Sequence, residues 1–116
     1  MRLEISGTRT LAVRGRRSGT VHRVPLIPVD VEGARYLVSP RGETDWVRNL
    51  RSAGEGELRG RREGAHRFRA TELPAEERPP VIAAYRSVAG RAVRSFFEER
   101  PDPEDHPVFR LEPRAG

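Results

Sequence analysis

Three observations predict a mainly β, α+β fold, a small antiparallel barrel or strongly curved sheet. Six short runs are rich in β-forming residues, several of them are joined by tight glycine-containing turns, and helical segments are set between them. The length of 116 residues suits one domain spanning 1–116, large enough to bury a core unaided. Residues 9–14 (RTLAVR) read as the first strand. GRRSG at 15–19 is a turn in which Gly15 and Gly19 supply backbone freedom. VHRVPLIPVDV at 21–31 alternates as a second strand. Its Pro25 and Pro28 donate no hydrogen bond, which places it at an edge or at a bulge. Glu32 and Gly33 make a hairpin turn into a third strand, ARYLVSP at 34–40.

The period then changes. Trp46, Val47 and Leu50 fall at helical spacing, Thr44 or Asp45 can cap the start, and Gly54 ends the helix. GELRG and AHRFRATEL are two further strands joined by the tight RREG connection. PAEERPPVIAAYRSV is an amphipathic helix beginning near Pro74, its first turns restricted by Pro79 and Pro80. GRAVRSFFEER is a further short helix and HPVFRLEP the last strand.

Composition narrows the function classes. The chain has no cysteine, which excludes disulfides, thiolate metal sites and cysteine nucleophiles. MRLEISGTRT lacks the apolar core of a signal peptide and no apolar run is long enough to cross a bilayer, so a cytoplasmic protein is expected. All 22 basic residues are arginine and the net charge is +5. The charge is uneven: residues 1–69 hold fifteen arginines against eight acidic residues, whereas 70–116 hold seven against nine. That asymmetry points to an anionic partner for the first half.

Two stretches can carry such a partner. The 15–19 turn exposes backbone N–H groups and adds the guanidinium forks of Arg16 and Arg17 and the hydroxyl of Ser18, a cradle for an anion. The alternative is a solvated hairpin turn. SPRGETDW at 39–46 sets Arg41 and Gly42 ahead of a helix N-terminus, whose dipole and free N–H groups favour an anion. The alternative there is that Glu43 and Asp45 already serve as capping carboxylates. A hairpin between the second and third strands can bring both turns to one end of the sheet. His22, His66 and His106 lack metal-ligand spacing, and His106 ahead of Pro107 reads as a loop residue. Trp46 reads as core or as a wall for a flat ring, and Tyr85 as core or a pocket hydroxyl.

GRRSGTVHRVPL, GETDWVRNLR, RFRATELPAEER and HPVFRLEP resemble the actinobacterial deazaflavin-dependent nitroreductase family, within the flavin/deazaflavin oxidoreductases. The resemblance runs over residues 10–113 and rests most on the G-R-x-[ST]-G turn followed by a W-x-x-N-L helix. It implies a six-stranded antiparallel split β-barrel of the FMN-binding split-barrel type. The implied enzyme transfers a hydride from reduced coenzyme F420 to a small electrophile: a quinone, a nitro compound or an enone. Arg16, Arg17, Ser18, His22, Arg41 and Gly42 would hold the anionic tail and phosphate of the coenzyme. Val24, Pro25 and Leu26 would line its ring, and Trp46 and Asn49 would fix the helix that shapes the pocket. No catalytic residue is assigned, and Tyr85 is a possible substrate contact. FMN is the alternative cofactor, and a basic small barrel that binds nucleic acid the alternative function; no specific nucleic acid, metal or membrane span is expected. A binder that sequesters the deazaflavin without turnover is a further alternative. Edge strands need cover, which favours a homodimer.

Overall fold

The computed structural model describes residues 7–114. The reading of the N-terminus as leaderless falls partly on residues 1–6, which lie outside the described residues, as do 115 and 116. The strands are β1 (Arg9–Arg14), β2 (Val21–Leu26), β3 (Val29–Val31), β4 (Ala34–Val38), β5 (Glu55–Gly60), β6 (Gly64–Glu72) and β7 (Val108–Pro113). The helices are α1 (Asp45–Ala53), α2 (Pro79–Ala89) and α3 (Arg94–Glu99). Short 3-10 turns at Ala75–Glu77, Gly90–Val93 and Pro103–Asp105 link them.

All pairings are antiparallel, and the sheet runs β2-β1-β5-β6-β7-β4-β3. The second strand expected across 21–31 is therefore two strands, and the six strands become seven. β2 pairs with β1, β3 pairs with β4, and the break falls at Ile27 and Pro28. These two residues join the two opposite edges of the sheet. Three Cα steps span at most about 11 Å, whereas the edges of a flat seven-stranded sheet would stand about 29 Å apart. The sheet must therefore curl until its edges nearly meet, a split barrel with its seam between β2 and β3.

Alternation along the strands then fills two cores. In β4 and β7, Leu37 and Phe109 point inward with Leu11, Val13, Leu58, Phe68 and Leu111, where Val47 and Leu50 of α1 plug the concave side. Their neighbours Val38 and Val108 point the other way, onto Val81, Ile82 and Tyr85 of α2 and Phe97 of α3. Gly54 ends α1 as expected: at φ 71° it lies in the left-handed region and its N–H donates to the Leu50 carbonyl at 2.8 Å. Pro79 and Pro80 occupy the first turn of α2, where a missing N–H costs nothing. Among the described residues no helix is long and apolar enough to cross a membrane.

Phe109 is 1% exposed at the meeting of β7, β4 and α1. Phe109→Ala is expected to cost about 3–5 kcal/mol through the cavity it leaves, read as a lower urea midpoint at unchanged slope.

Candidate functional site

Beside the unpaired edge of β2 lies a cleft of about 960 Å³. One end is the β1–β2 turn, the other is the loop between β4 and α1, and β2 forms the wall between them. Both basic turns singled out in the sequence thus face one cavity.

The β1–β2 turn is braced from within. Gly15 N–H donates to Thr20 O at 2.7 Å, Gly19 N–H to Gly15 O at 3.1 Å, and Thr20 N–H to Ser18 Oγ at 3.1 Å. A Cβ on Gly15 would stand 2.7 Å from His22 Nε2, so the imidazole needs glycine beneath it. Asn49, on α1 and 4% exposed, accepts from Arg16 N–H at 3.1 Å and from Arg16 Nη1 at 2.7 Å. Arg16 Nη2 also lies 3.4 Å from Asp45. Arg16 is therefore committed to tying the turn to α1, although it still lines the cleft. Arg17, beside it, is exposed and has no hydrogen bond or ion pair among the described residues.

The opposite loop presents a helix end without a side-chain cap. Thr44 is the N-cap of α1, yet no side chain bonds the free N–H groups. Neither acidic neighbour caps it. Glu43 accepts twice from Arg51, at 2.9 Å each, and these bonds hold its carboxyl below the usual range. Asp45 turns to Arg16. Thr44 lines the cleft, and its Oγ1 is buried and without a hydrogen-bond partner among the described residues. An orphaned hydroxyl beside free N–H groups is a donor set suited to an anionic oxygen. Arg41 completes the rim, its guanidinium 5.2 Å over the Phe96 ring.

Two aromatic residues frame the middle. Trp46 is half-buried, with its ring 6.1 Å from Phe109 on the core side, so it serves as both core and wall. Tyr85 is 5% exposed and lines the cleft. Burial pushes its phenol up to about 12, so at neutral pH it remains a hydrogen-bond donor.

Arg16, Arg17, Ser18, His22, Val24, Pro25, Leu26, Arg41, Trp46, Asn49 and Tyr85 all line this cleft. Gly42 does not. At φ 85° it bends the loop from behind, where a Cβ would come within 3.3 Å of the Asp105 carbonyl. Ile27, Val38, Ser39, Pro40 and Thr44 also line the cleft without being singled out from the sequence. Arg23, expected from strand alternation to point to the face opposite His22, lines the cleft together with it. Thr44 reads in the sequence only as a helix cap; its place after a Gly-containing turn is the available signal. His106 is a loop residue as expected, yet it is fully buried, which no local pattern announces. Among the described residues no three His, Asp or Glu side chains group as a metal would require. The outer face of the sheet has no uninterrupted basic stripe: Arg69 lies in register with Glu55 and Glu112, and Arg67 with Glu57.

A curled antiparallel sheet with a cationic seam defines the flavin/deazaflavin split-barrel class. Residues 2–101 match the family described as F420H(2)-dependent quinone reductase, and the chain belongs to that family of enzymes. A solved F420-H2 dependent reductase, FDR-A, is similar at 21% identity and TM-score 0.73, over 91% of this chain and 94% of that one. The heme storage protein HutZ from Vibrio cholerae aligns at 16% identity and TM-score 0.72, over 98% and 86%. A structure described as a domain-swapped dimer aligns at 21% identity and TM-score 0.64, over 91% and 80%. No curated protein matches.

Asn49→Leu is expected to cost about 1–3 kcal/mol, since it leaves the Arg16 donors without their acceptor; chemical denaturation measures it. Tyr85 supports a pH prediction. Its folded-state value lies above the ordinary 10.0, so its contribution is fully present below pH 10 and is lost as pH rises through about 12. Ultraviolet difference titration of the wild type against Tyr85→Phe should place this phenol near the upper value.

Proposed function

We propose that the cleft holds reduced coenzyme F420 and that the chain catalyses hydride transfer from it to a small electrophile: a quinone, a nitro compound or a conjugated enone. One observation carries the reading. Arg17, Arg23 and Arg41 line the cleft without a carboxylate partner among the described residues, and Asp45, the sole acidic lining residue, is taken by Arg16. A cavity with that charge is suited to a ligand bearing several negative charges.

The residues fit the coenzyme. Thr44 Oγ1 and the free N–H groups of α1 suit its phosphate, with Arg41 at the rim. Arg17, Ser18 and His22 suit its anionic tail. Val24, Pro25 and Leu26 with Trp46 provide apolar walls for the ring. The coenzyme, when bound, supplies the hydride chemistry, and the protein supplies orientation and exclusion of water. We read Tyr85, a cleft-lining residue whose phenol is protonated at neutral pH, as the donor to an oxygen of the substrate. No side chain need act as a base for the hydride step. We further read the chain as a cytoplasmic homodimer. β2, an edge strand with Val21 exposed, offers a surface that needs cover.

Trp46 is the sole tryptophan and stands in the cleft wall, so its fluorescence reports binding. F420 should bind more tightly than FMN and lose affinity as salt screens the rim; equal or reversed affinities would contradict the reading. Arg17→Ala should weaken F420 binding by about 1.5–3 kcal/mol, on the order of ten- to a hundredfold. Its thermal midpoint and single-turnover hydride rate should hold. Arg16→Ala should instead lower the thermal midpoint, because it unties the turn from α1.

A further inference from the structure

We propose that His106 is a positioning residue for the Ser39–Thr44 loop and thereby sets the affinity of the cleft; the second clause rests on the F420 reading. His106 does not line the cleft. It is wholly buried beneath the loop, after the 3-10 turn at Pro103–Asp105, 67 positions from Ser39. Its Nδ1 lies 3.1 Å from the Ser39 carbonyl and its Nε2 2.5 Å from the Arg100 carbonyl. Its ring packs on Phe97, 4.2 Å between centroids.

Ser39 is fixed through every polar group it has. Its N–H donates to Pro107 O at 3.0 Å, its carbonyl faces His106, and its hydroxyl donates to Gly42 O at 2.6 Å. The hydroxyl bond shapes the bend at Gly42, and Gly42 O in turn accepts from Thr44 N–H at 2.9 Å. The position of Thr44 Oγ1 thus depends on Ser39, and that of Ser39 on His106. Arg41 is held from the same direction, over Phe96, next in sequence to the Phe97 that supports the imidazole. The chain around His106 is itself anchored by buried Arg78, which donates from Nε to Leu73 O at 2.9 Å and from Nη1 to Pro103 O at 3.0 Å. Sites held by supporting hydrogen bonds of this kind lose precision when the support is removed.

Three variants separate positioning from packing. Phenylalanine keeps a ring on Phe97 and removes both polar contacts. Both partners are carbonyl oxygens, which only accept, so a neutral imidazole bonds one of them, and positioning of the loop requires the N–H on Nδ1, donating to Ser39 O. The asparagine amide nitrogen falls where Nδ1 stands and can donate to the Ser39 carbonyl; that of glutamine falls where Nε2 stands and can donate only to the Arg100 carbonyl. Amide hydrogen exchange of Gly42–Thr44, compared with β5 and β6, reads the loop without any ligand. In His106→Phe the loop should exchange about tenfold faster while the strands do not change, and F420 affinity should fall by about tenfold with the saturated hydride rate retained. His106→Asn should recover both properties and His106→Gln neither.

An unchanged loop in His106→Phe, a loop and strands that loosen together, or equal recovery by Asn and Gln would overturn the proposal. A loosened loop with unchanged F420 affinity would overturn its second clause. If the phenylalanine variant does not fold, the Asn–Gln comparison decides by the same criteria. A wild-type chain that binds no F420 would refute the coenzyme reading, and loop exchange would still decide the role of His106.

Discussion

The structure depends on one corner of the chain. Ile27 and Pro28 carry the backbone from one edge of the sheet to the other, and so short a link forbids a flat sheet. Curling has three consequences. It creates the concavity that Val47 and Leu50 of α1 fill. It leaves β2 with one unpaired edge, and the cleft lies between that strand and the β4–α1 loop. It also brings the β1–β2 turn and the β4–α1 loop, 20 and more residues apart in sequence, to the two ends of one cavity. The site is thus a product of closure, and the fold supplies its apolar wall from the same strand that makes the corner.

The arginines divide by what surrounds them. Arg78, 8% exposed, is spent on backbone carbonyls and on Glu72, 3.5 Å from its Nη2, since a buried cation needs partners. Arg51 bridges Glu43 and Glu72, whose bonds hold its guanidinium firmly in the charged form. Arg16 is shared between Asn49 and Asp45. By drawing Glu43 and Asp45 away from the start of α1, Arg51 and Arg16 leave its N–H groups uncapped. The rim arginines Arg17 and Arg23 keep their charge unspent. Structural arginines therefore act on the site indirectly, by removing the carboxylates that would otherwise compete with an anionic ligand.

Much of this was legible locally. The 9–14 strand, the GRRSG turn, the helix from Asp45 closed by Gly54 and the body of α2 all follow from short-range rules. So does the choice of Asn49 and Trp46, through the W-x-x-N-L resemblance. The start of α2 does not, since the helix expected from near Pro74 is a separate 3-10 turn at Ala75–Glu77 followed by α2 from Pro79. The division of 21–31 was not legible, because alternation continues across Pro28 and a proline marks an edge as readily as a break. Sheet order is non-local, and only the observed pairings place β2 and β3 on opposite edges. The resemblance assigns Gly42 to the ligand; it does not line the cleft, and its positive φ serves the loop bend. The burial of His106, Ser39 and Arg78 was not legible, because polar residues give no sign in sequence that distant carbonyls will satisfy them inside the protein.

On the proposed reading the cleft beside β2 binds F420 through its two basic ends, and amide chemical-shift mapping by NMR during titration with F420 probes this residue by residue. Perturbations are expected at Gly15–Gly19, along Val24–Ile27 and at Arg41–Trp46, together with the indole N–H of Trp46. Perturbations confined to the outer sheet face, around Arg59, Arg67 and Arg69, with the cleft unaffected, would contradict it.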